Sequence, residues 1–318
     1  MTGREETNKK IRYALEKKTE QNPILHGFFI DMDSSGLEIK TSQNYINMTL
    51  RFLTDVGKPV NDITVNDVNE FLASHKKGDK PQTHLRTVWY CLNRFFDYLV
   101  RTGEASTNIM ERVKKPKAKP AREVNRTYLT PDEYKLLLDR VDEEVSIWTR
   151  TRDKAILRLF IETGIRCSAL SEINVSDIFL DDLTIRVTDK ENKTTMFPIS
   201  EGMKETLRIW IAVRSCTKEL DANEPALFLS VHNKRISTDA IRDIVDKYSK
   251  VIKGKHITPH KLRASFATNL YNQTGDIRLV QECMNHADIS TTQLYVQSDG
   301  RNRKKAANII SKLIKREE

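Results

Sequence analysis

Two short segments near the end of the chain concentrate groups able to act on a phosphodiester. HKLRASFATNL places His260 and Arg263 three residues apart, and MNHADISTTQLYV, which begins at Met284, carries His286 and Tyr295. A guanidinium offers a planar fork of donors to phosphate oxygens. An imidazole moves or donates a proton near neutral pH, and a phenol can become a covalent nucleophile. The combination points to phosphoryl transfer through a tyrosine. Taken singly, each group also has an ordinary explanation: a histidine–arginine pair at a helix start is commonly solvated, and a tyrosine late in a helical segment is commonly half-buried packing.

Two further stretches bear on the same chemistry. In TGIRCSALSEI, Gly164 interrupts a helical pattern just before Arg166, and Ser168 is placed to cap the helix that carries Leu170 and Ile173. An arginine at such a junction projects from a fixed point; the plain alternative is an exposed arginine at a helix break. In DKENK, Lys190 and Lys193 sit in a turn, where lysines are ordinarily solvated.

These residues need elements to hold them. Thr258 and Pro259 form a cap and first-turn pair that sets His260 in the first turn of a helix, on one face with Arg263, while Leu262, Phe266 and Leu270 bury the other side. LTIRVT alternates at period two, turns through DKENK and returns as TTMFPI, which predicts a β-hairpin with Lys190 at its tip. LTPDEY opens a domain: Thr130 is the N-cap, Pro131 the first helical residue, Glu133 closes a capping box, and Leu129 with Tyr134 forms a hydrophobic staple. Helices are expected to continue to Ile173, and again around 205–213 and 238–248.

The first third reads as helices. Tyr45, Met48, Phe52, Leu53 and Val56 share a face before Gly57; Val65, Val68, Phe71 and Leu72 follow Thr64; Val88, Leu92, Phe95 and Leu99 line a helix from about Gln82 to Arg101. Between the two regions lies RVKKPKAKPAREVNR, rich in Lys, Arg and Pro. It predicts an extended basic linker, either a solvated tether or a strap that follows a DNA backbone.

With 318 residues the chain suits about two domains, and a net charge of +9 favours a polyanionic partner, nucleic acid first. No apolar run approaches the roughly 20 residues of a membrane span, and the N-terminus lacks the apolar core of a signal peptide, so a soluble, cytoplasmic protein is expected. Cys91, Cys167, Cys216 and Cys283 lie far apart, as reduced thiols rather than a zinc or disulfide framework.

Taken in order, Arg166, Lys190, His260–Arg263, His286 and Tyr295 resemble the catalytic series of the tyrosine recombinases, the phage-integrase family. TGIRCSALSEI is similar to that family's first arginine box. HKLRASFAT is similar to its H-x-L-R-H-x-F-A-T box, MNHADISTTQLYV to its L-G-H-x-x-x-x-T-T-x-x-Y box, and DKENKTTMFPI to its catalytic-lysine hairpin, which maps to Lys190. TSQNYINMTLRFL, ITVNDVNEFL and FFDYLVRTG resemble the family's helical core-binding domain. Two positions depart from the pattern. Ala264 stands where a supporting histidine is usual, and Asn285 replaces the glycine of L-G-H, where asparagine best tolerates a left-handed helix stop.

The resemblance implies a mainly α chain with a small β-sheet (α+β): a core-binding domain over 20–112, a basic linker over 113–126, and a catalytic domain over 127–318, together forming a C-shaped DNA clamp. It implies site-specific cutting and rejoining of DNA through a 3′-phosphotyrosyl link. Tyr295 would be the nucleophile, with Arg166 and Arg263 clamping the phosphate and His286 donating to it; His260 would assist proton removal and Lys190 would protonate the 5′-oxygen. Lys114, Lys115, Lys117, Lys119, Arg122 and Arg126 are the expected linker contacts to DNA. No cofactor or metal is called for, since guanidinium groups stand where divalent ions would sit and no carboxylate cluster suggests two-metal chemistry. Double-stranded DNA carrying a recombination site is the expected partner, with four protomers in synapsis. The tail helix, with Ala306, Ile310, Leu313 and Ile314 on its apolar face, would dock on a neighbouring protomer. The short stretch before the core-binding region suits a simple Xer-like enzyme or a small mobile-element integrase. A type IB topoisomerase-like nicking and closing enzyme shares most of these residues, and a non-catalytic sequence-specific DNA-binding protein is the reading from another class.

Overall fold

Helix starts in this chain are set by side chains that bond the amides a helix leaves unpaired. Thr64 and Asp67 make a reciprocal capping box, the Thr64 N–H donating to the Asp67 carboxylate at 2.8 Å and the Asp67 N–H to Thr64 Oγ1 at 3.3 Å. Thr130 and Glu133 repeat it with the same two distances. The computed structural model describes residues 3–75, 82–117, 128–188, 194–218 and 220–284. The chain divides into two compact units, Met1–Val124 and Asn125–Glu318.

The first unit holds α1 (Gly3–Thr19), α2 (Pro23–Ser34), α3 (Ile39–Val56), α4 (Val65–Ser74) and α5 (Gln82–Thr102). Its core is aromatic: Phe28 meets Phe95 edge to face at 5.3 Å, and Phe52 meets Phe71 at 5.1 Å. Two features differ from the sequence pattern. The buried face of α3 is Ile39, Ser42, Ile46, Thr49 and Phe52, while Tyr45, Met48, Leu53 and Val56 flank it half-buried. Ser42 and Thr49 are wholly buried there, small polar positions that a search for large apolar side chains overlooks. The polar helix α1 nevertheless buries Leu15 and Thr19 in the same unit, ahead of the expected start at residue 20.

The second unit contains α6 (Pro131–Asp142), α7 (Ile147–Thr163), α8 (Cys167–Glu172), α9 (Glu201–Ser215), α10 (Thr238–Ser249), α11 (Pro259–Thr274) and α12 (Ile277–Cys283). Between α8 and α9 lies an antiparallel sheet ordered β1 (Ile178–Phe179), β2 (Thr184–Thr188), β3 (Thr194–Pro198). The expected hairpin is β2–β3, with Thr188 opposite Thr194; β1 adds two residues on the other edge of β2. Ile185 and Val187 face the core and Arg186 and Thr188 face outward, as the period-two pattern requires. Helix α7 runs through the middle of the unit, with Ala155, Ile156, Leu157, Leu159 and Phe160 all buried, so it is apolar around most of its circumference. Buried polar groups here are paired: Arg152 bonds Asp153 and the Leu229 carbonyl, and the Tyr248 hydroxyl donates to Asp153 at 2.8 Å. Among the described residues, no helix is long and apolar enough to cross a membrane.

Candidate active site

Helix α7 ends at Gly164, whose φ of 60° is left-handed and whose N–H closes the helix onto the Phe160 carbonyl. A Cβ built there would lie 2.5 Å from Cδ1 of Phe266 on α11. Glycine is therefore required twice, by the backbone angle and by the approach of a neighbouring ring. The turn leads through buried Ile165 to Arg166, which occupies the N-cap of α8 in an extended conformation and makes no side-chain capping bond. Ser168, expected to cap this helix, is instead an exposed residue inside it; the turn at Gly164 is short enough that α8 begins at Cys167. Half-buried Arg166 has no side-chain hydrogen bond or ion pair to another described residue, and its charge sits at the helix end where the macrodipole is also positive. Its platform is fixed, because Ser171 Oγ donates to the Ile236 carbonyl at 2.8 Å and Arg235 Nη1 to the Ser171 carbonyl at 2.9 Å. Burial pushes the neighbouring Cys167 thiol up to about 11, so it stays neutral.

Helix α11 begins as expected: Thr258 caps it, Pro259 is its first residue and His260 its exposed second. Arg263 is 5% exposed, although the sequence places it on a face with His260. Its Nη1 donates to the Gly164 carbonyl and its Nη2 to the Met284 carbonyl, both at 2.5 Å. Those carbonyls are the C-caps of α7 and α12. Carbonyls at helix C-termini lack an intrahelical donor and carry the negative end of the macrodipole, so two of them can hold a buried guanidinium that would otherwise be costly. The geometry follows the sequence closely. Gly164 lies two residues before Arg166, and Met284 two residues before His286. One side chain thus joins the turn leading to Arg166, the His260 helix and the start of the segment containing His286 and Tyr295.

Lys190, His286, Tyr295, Lys119, Arg122 and Arg126, with Asn285 and the tail helix, lie outside the described residues. Lys114, Lys115 and Lys117 are exposed at the end of the first unit. Lys115 Nζ lies 4.5 Å from the Tyr90 ring and 5.3 Å from the Trp89 ring on α5. Hydrogen bonds from Lys115 and then Arg86 draw the Tyr90 hydroxyl below the usual phenol range. This basic-aromatic cluster was not singled out from sequence; the signal available was the run R-T-V-W-Y facing a lysine-rich segment 25 residues later. Phe266 is expected from sequence only as core; its seat against Gly164 emerges from the packing of α11 on the end of α7.

Residues 127–301, more than half of the chain, match the model of the phage integrase family. The tyrosine recombinase XerC of Thermodesulfovibrio yellowstonii is 34% identical over 239 residues, covering 73% of this chain and 77% of that protein. The XerC of Vibrio parahaemolyticus is 31% identical over 286 residues, covering 88% of this chain and 89% of that one. The fold is shared with the XerH site-specific recombinase solved with its difH substrate, at a TM-score of 0.68 and 22% identity over 86% of this chain and 80% of that one. With a family model spanning most of the second unit and relatives aligned through both units, the chain belongs to the phage integrase family of tyrosine recombinases.

Proposed function

We propose that this chain is a site-specific DNA recombinase of the simple, Xer-like kind, acting through a covalent 3′-phosphotyrosyl intermediate. The observation that carries the reading is Arg263, buried and bonded to the carbonyls that precede the Arg166 turn and the His286 segment. In this reading Arg166 and Arg263 bind the non-bridging oxygens of the scissile phosphate, and His286 donates a further bond, so charge developing in the transition state meets donors already in place. The Tyr295 oxygen attacks phosphorus and the bond to the 5′-oxygen breaks. The phenol proton passes to the side of His260, and Lys190 supplies a proton to the leaving 5′-oxygen. A 5′-hydroxyl from a partner strand then reverses these steps, releasing Tyr295 and resealing DNA without an external energy source.

Residues 20–112 of the first unit are the proposed core-binding domain, with residues 113–126 as a basic strap on the DNA backbone and 127–318 as the catalytic domain. Lys115, poised over Tyr90 and Trp89, supports that role for the strap. Double-stranded DNA with a specific site is the proposed partner, bound in the cytoplasm by four protomers in synapsis. A nicked suicide duplex incubated with EDTA should trap a protein–DNA adduct, and Tyr295→Phe should abolish the adduct while preserving binding. An adduct that survives this substitution removes Tyr295 as nucleophile.

A further inference from the structure

The point at which the chain enters the second unit is held by the helix that carries His260 and Arg263. Ser265 Oγ, fully buried, accepts the Leu129 N–H at 2.9 Å and donates to the Lys261 carbonyl at 2.8 Å. Asn269 Nδ2 donates to the Leu129 carbonyl at 2.8 Å and to the Tyr134 hydroxyl at 3.2 Å. Ahead of α11, Lys255 Nζ donates to the Tyr128 carbonyl at 2.9 Å and to Glu133 at 2.7 Å. Both polar backbone groups of Leu129 and the carbonyl of Tyr128 are therefore bonded to side chains from 255–269, and the Leu129 side chain is wholly buried. The start of α6 needs none of this, since Thr130 and Glu133 already cap it.

Residues 263 and 265 point to opposite sides of a helix with about 3.6 residues per turn. On one side α11 is bonded through Arg263 to the turn before Arg166, and on the other through Ser265 to the first described residues beyond the basic linker. Leu129 lies three residues after Arg126, the last of the linker's basic residues. Displacement of the linker's end would thus load α11 directly.

We propose that Ser265 and Asn269 are positioning residues for strand transfer: they tie the linker's exit to α11, so that the placement of His260 and Arg263 depends on how DNA holds the linker. This rests on the catalytic roles given to His260 and Arg263 above. The experiment measures the single-turnover rate of covalent adduct formation by the full chain on a nicked duplex bearing a site that the protein itself selects from random sequence. Wild type, Ser265→Ala/Asn269→Ala, a short Gly-Ser insertion between Lys119 and Pro120, and the combination are compared. The insertion should slow wild-type cleavage by about tenfold, within the range for directly coupled groups. At saturating protein the anchor pair should slow it comparably, with DNA affinity of the anchor variant changed by less than about twofold, and the combination should slow it no further. Effects that multiply in the combination, or a folded anchor variant that cleaves at the wild-type rate, overturn the proposal. If the pair unfolds below the assay temperature, Asn269→Ala alone, at a half-buried position, carries the same comparison. Failure of the underlying reading is separately visible, as adduct forming at the wild-type rate in His260→Ala and Arg263→Ala whatever the insertion does.

Discussion

Substituting alanine for Gly164 tests whether the active site is assembled around one close approach. The residue sits at φ 60°, and its new Cβ would meet Phe266 at 2.5 Å. The left-handed backbone costs about 1–2 kcal/mol for a residue with a Cβ. Forcing the ring aside adds about 1–3 kcal/mol, and the loss of glycine's freedom in the unfolded chain returns about 0.4–1 kcal/mol. The expected net loss is about 1–4.6 kcal/mol, a fall of roughly 2–18 °C in the melting temperature of a unit this size. Gly275 provides the control within the same unit: its φ is 70°, but nothing lies within 4 Å of its Cβ position, so alanine there should show the backbone cost alone. Calorimetry on Gly164→Ala, Phe266→Ala and the pair separates the steric part, because truncating the ring removes the collision and the double variant should lose less than the sum by about 1–3 kcal/mol. Adduct formation by Gly164→Ala should fall at least about tenfold, since the displaced Gly164 carbonyl is a partner of Arg263. The reasoning is refuted if Gly164→Ala costs no more than Gly275→Ala, or if the two substitutions at 164 and 266 are additive.

Three other perturbations follow from particular contacts. Lys115→Ala should lower DNA affinity with little sequence dependence and reduce the slope of log K against log salt by about 0.9, as expected for one lost phosphate contact; an unchanged slope in a filter-binding titration removes Lys115 from the DNA backbone. Burial pushes the Cys91 thiol up to about 12 from an ordinary 9.0, so the folded state holds this proton more tightly than the unfolded one. Its contribution to stability is complete below pH 9 and drains as pH rises toward 12. Cys91→Ala should therefore flatten the alkaline limb of the unfolding midpoint, while a thiol reagent labels exposed Cys216 in the native protein and Cys91 only on unfolding. Lys58, with the Thr64 amide and hydroxyl, holds the Asp67 carboxyl down at about 2, so its stabilising effect is present above pH 3.8 and is lost as pH falls toward 2. Asp67→Asn should shift the acid transition of the first unit to a shallower slope over that window, and an identical slope contradicts the capping-box account.

Much of this architecture is legible because the features that specify it are local. Thr130, Pro131 and Glu133 announce a helix start within four residues, and the alternation of LTIRVT announces the strand that pairs with TTMFPI. The α3 face was displaced because it buries the polar Ser42 and Thr49, and periodicity weighted by hydrophobicity cannot register them. The candidate site divides along the same line. Which residues carry the chemistry is visible in their types and order, but what holds Arg263 is not, because its partners are the carbonyls of Gly164 and Met284, groups every residue possesses. Ser265 and Asn269 are equally silent in sequence, since they act on the backbone of Leu129, more than a hundred residues away. Side-chain identity records the reacting groups, whereas their placement is written in backbone atoms that converge only when α7, α11 and α12 pack. This explains why Gly164 is informative beyond its size: among the described residues, it is a position where the backbone requirement of the site surfaces as a residue type, through an angle and a clearance that a side chain would violate.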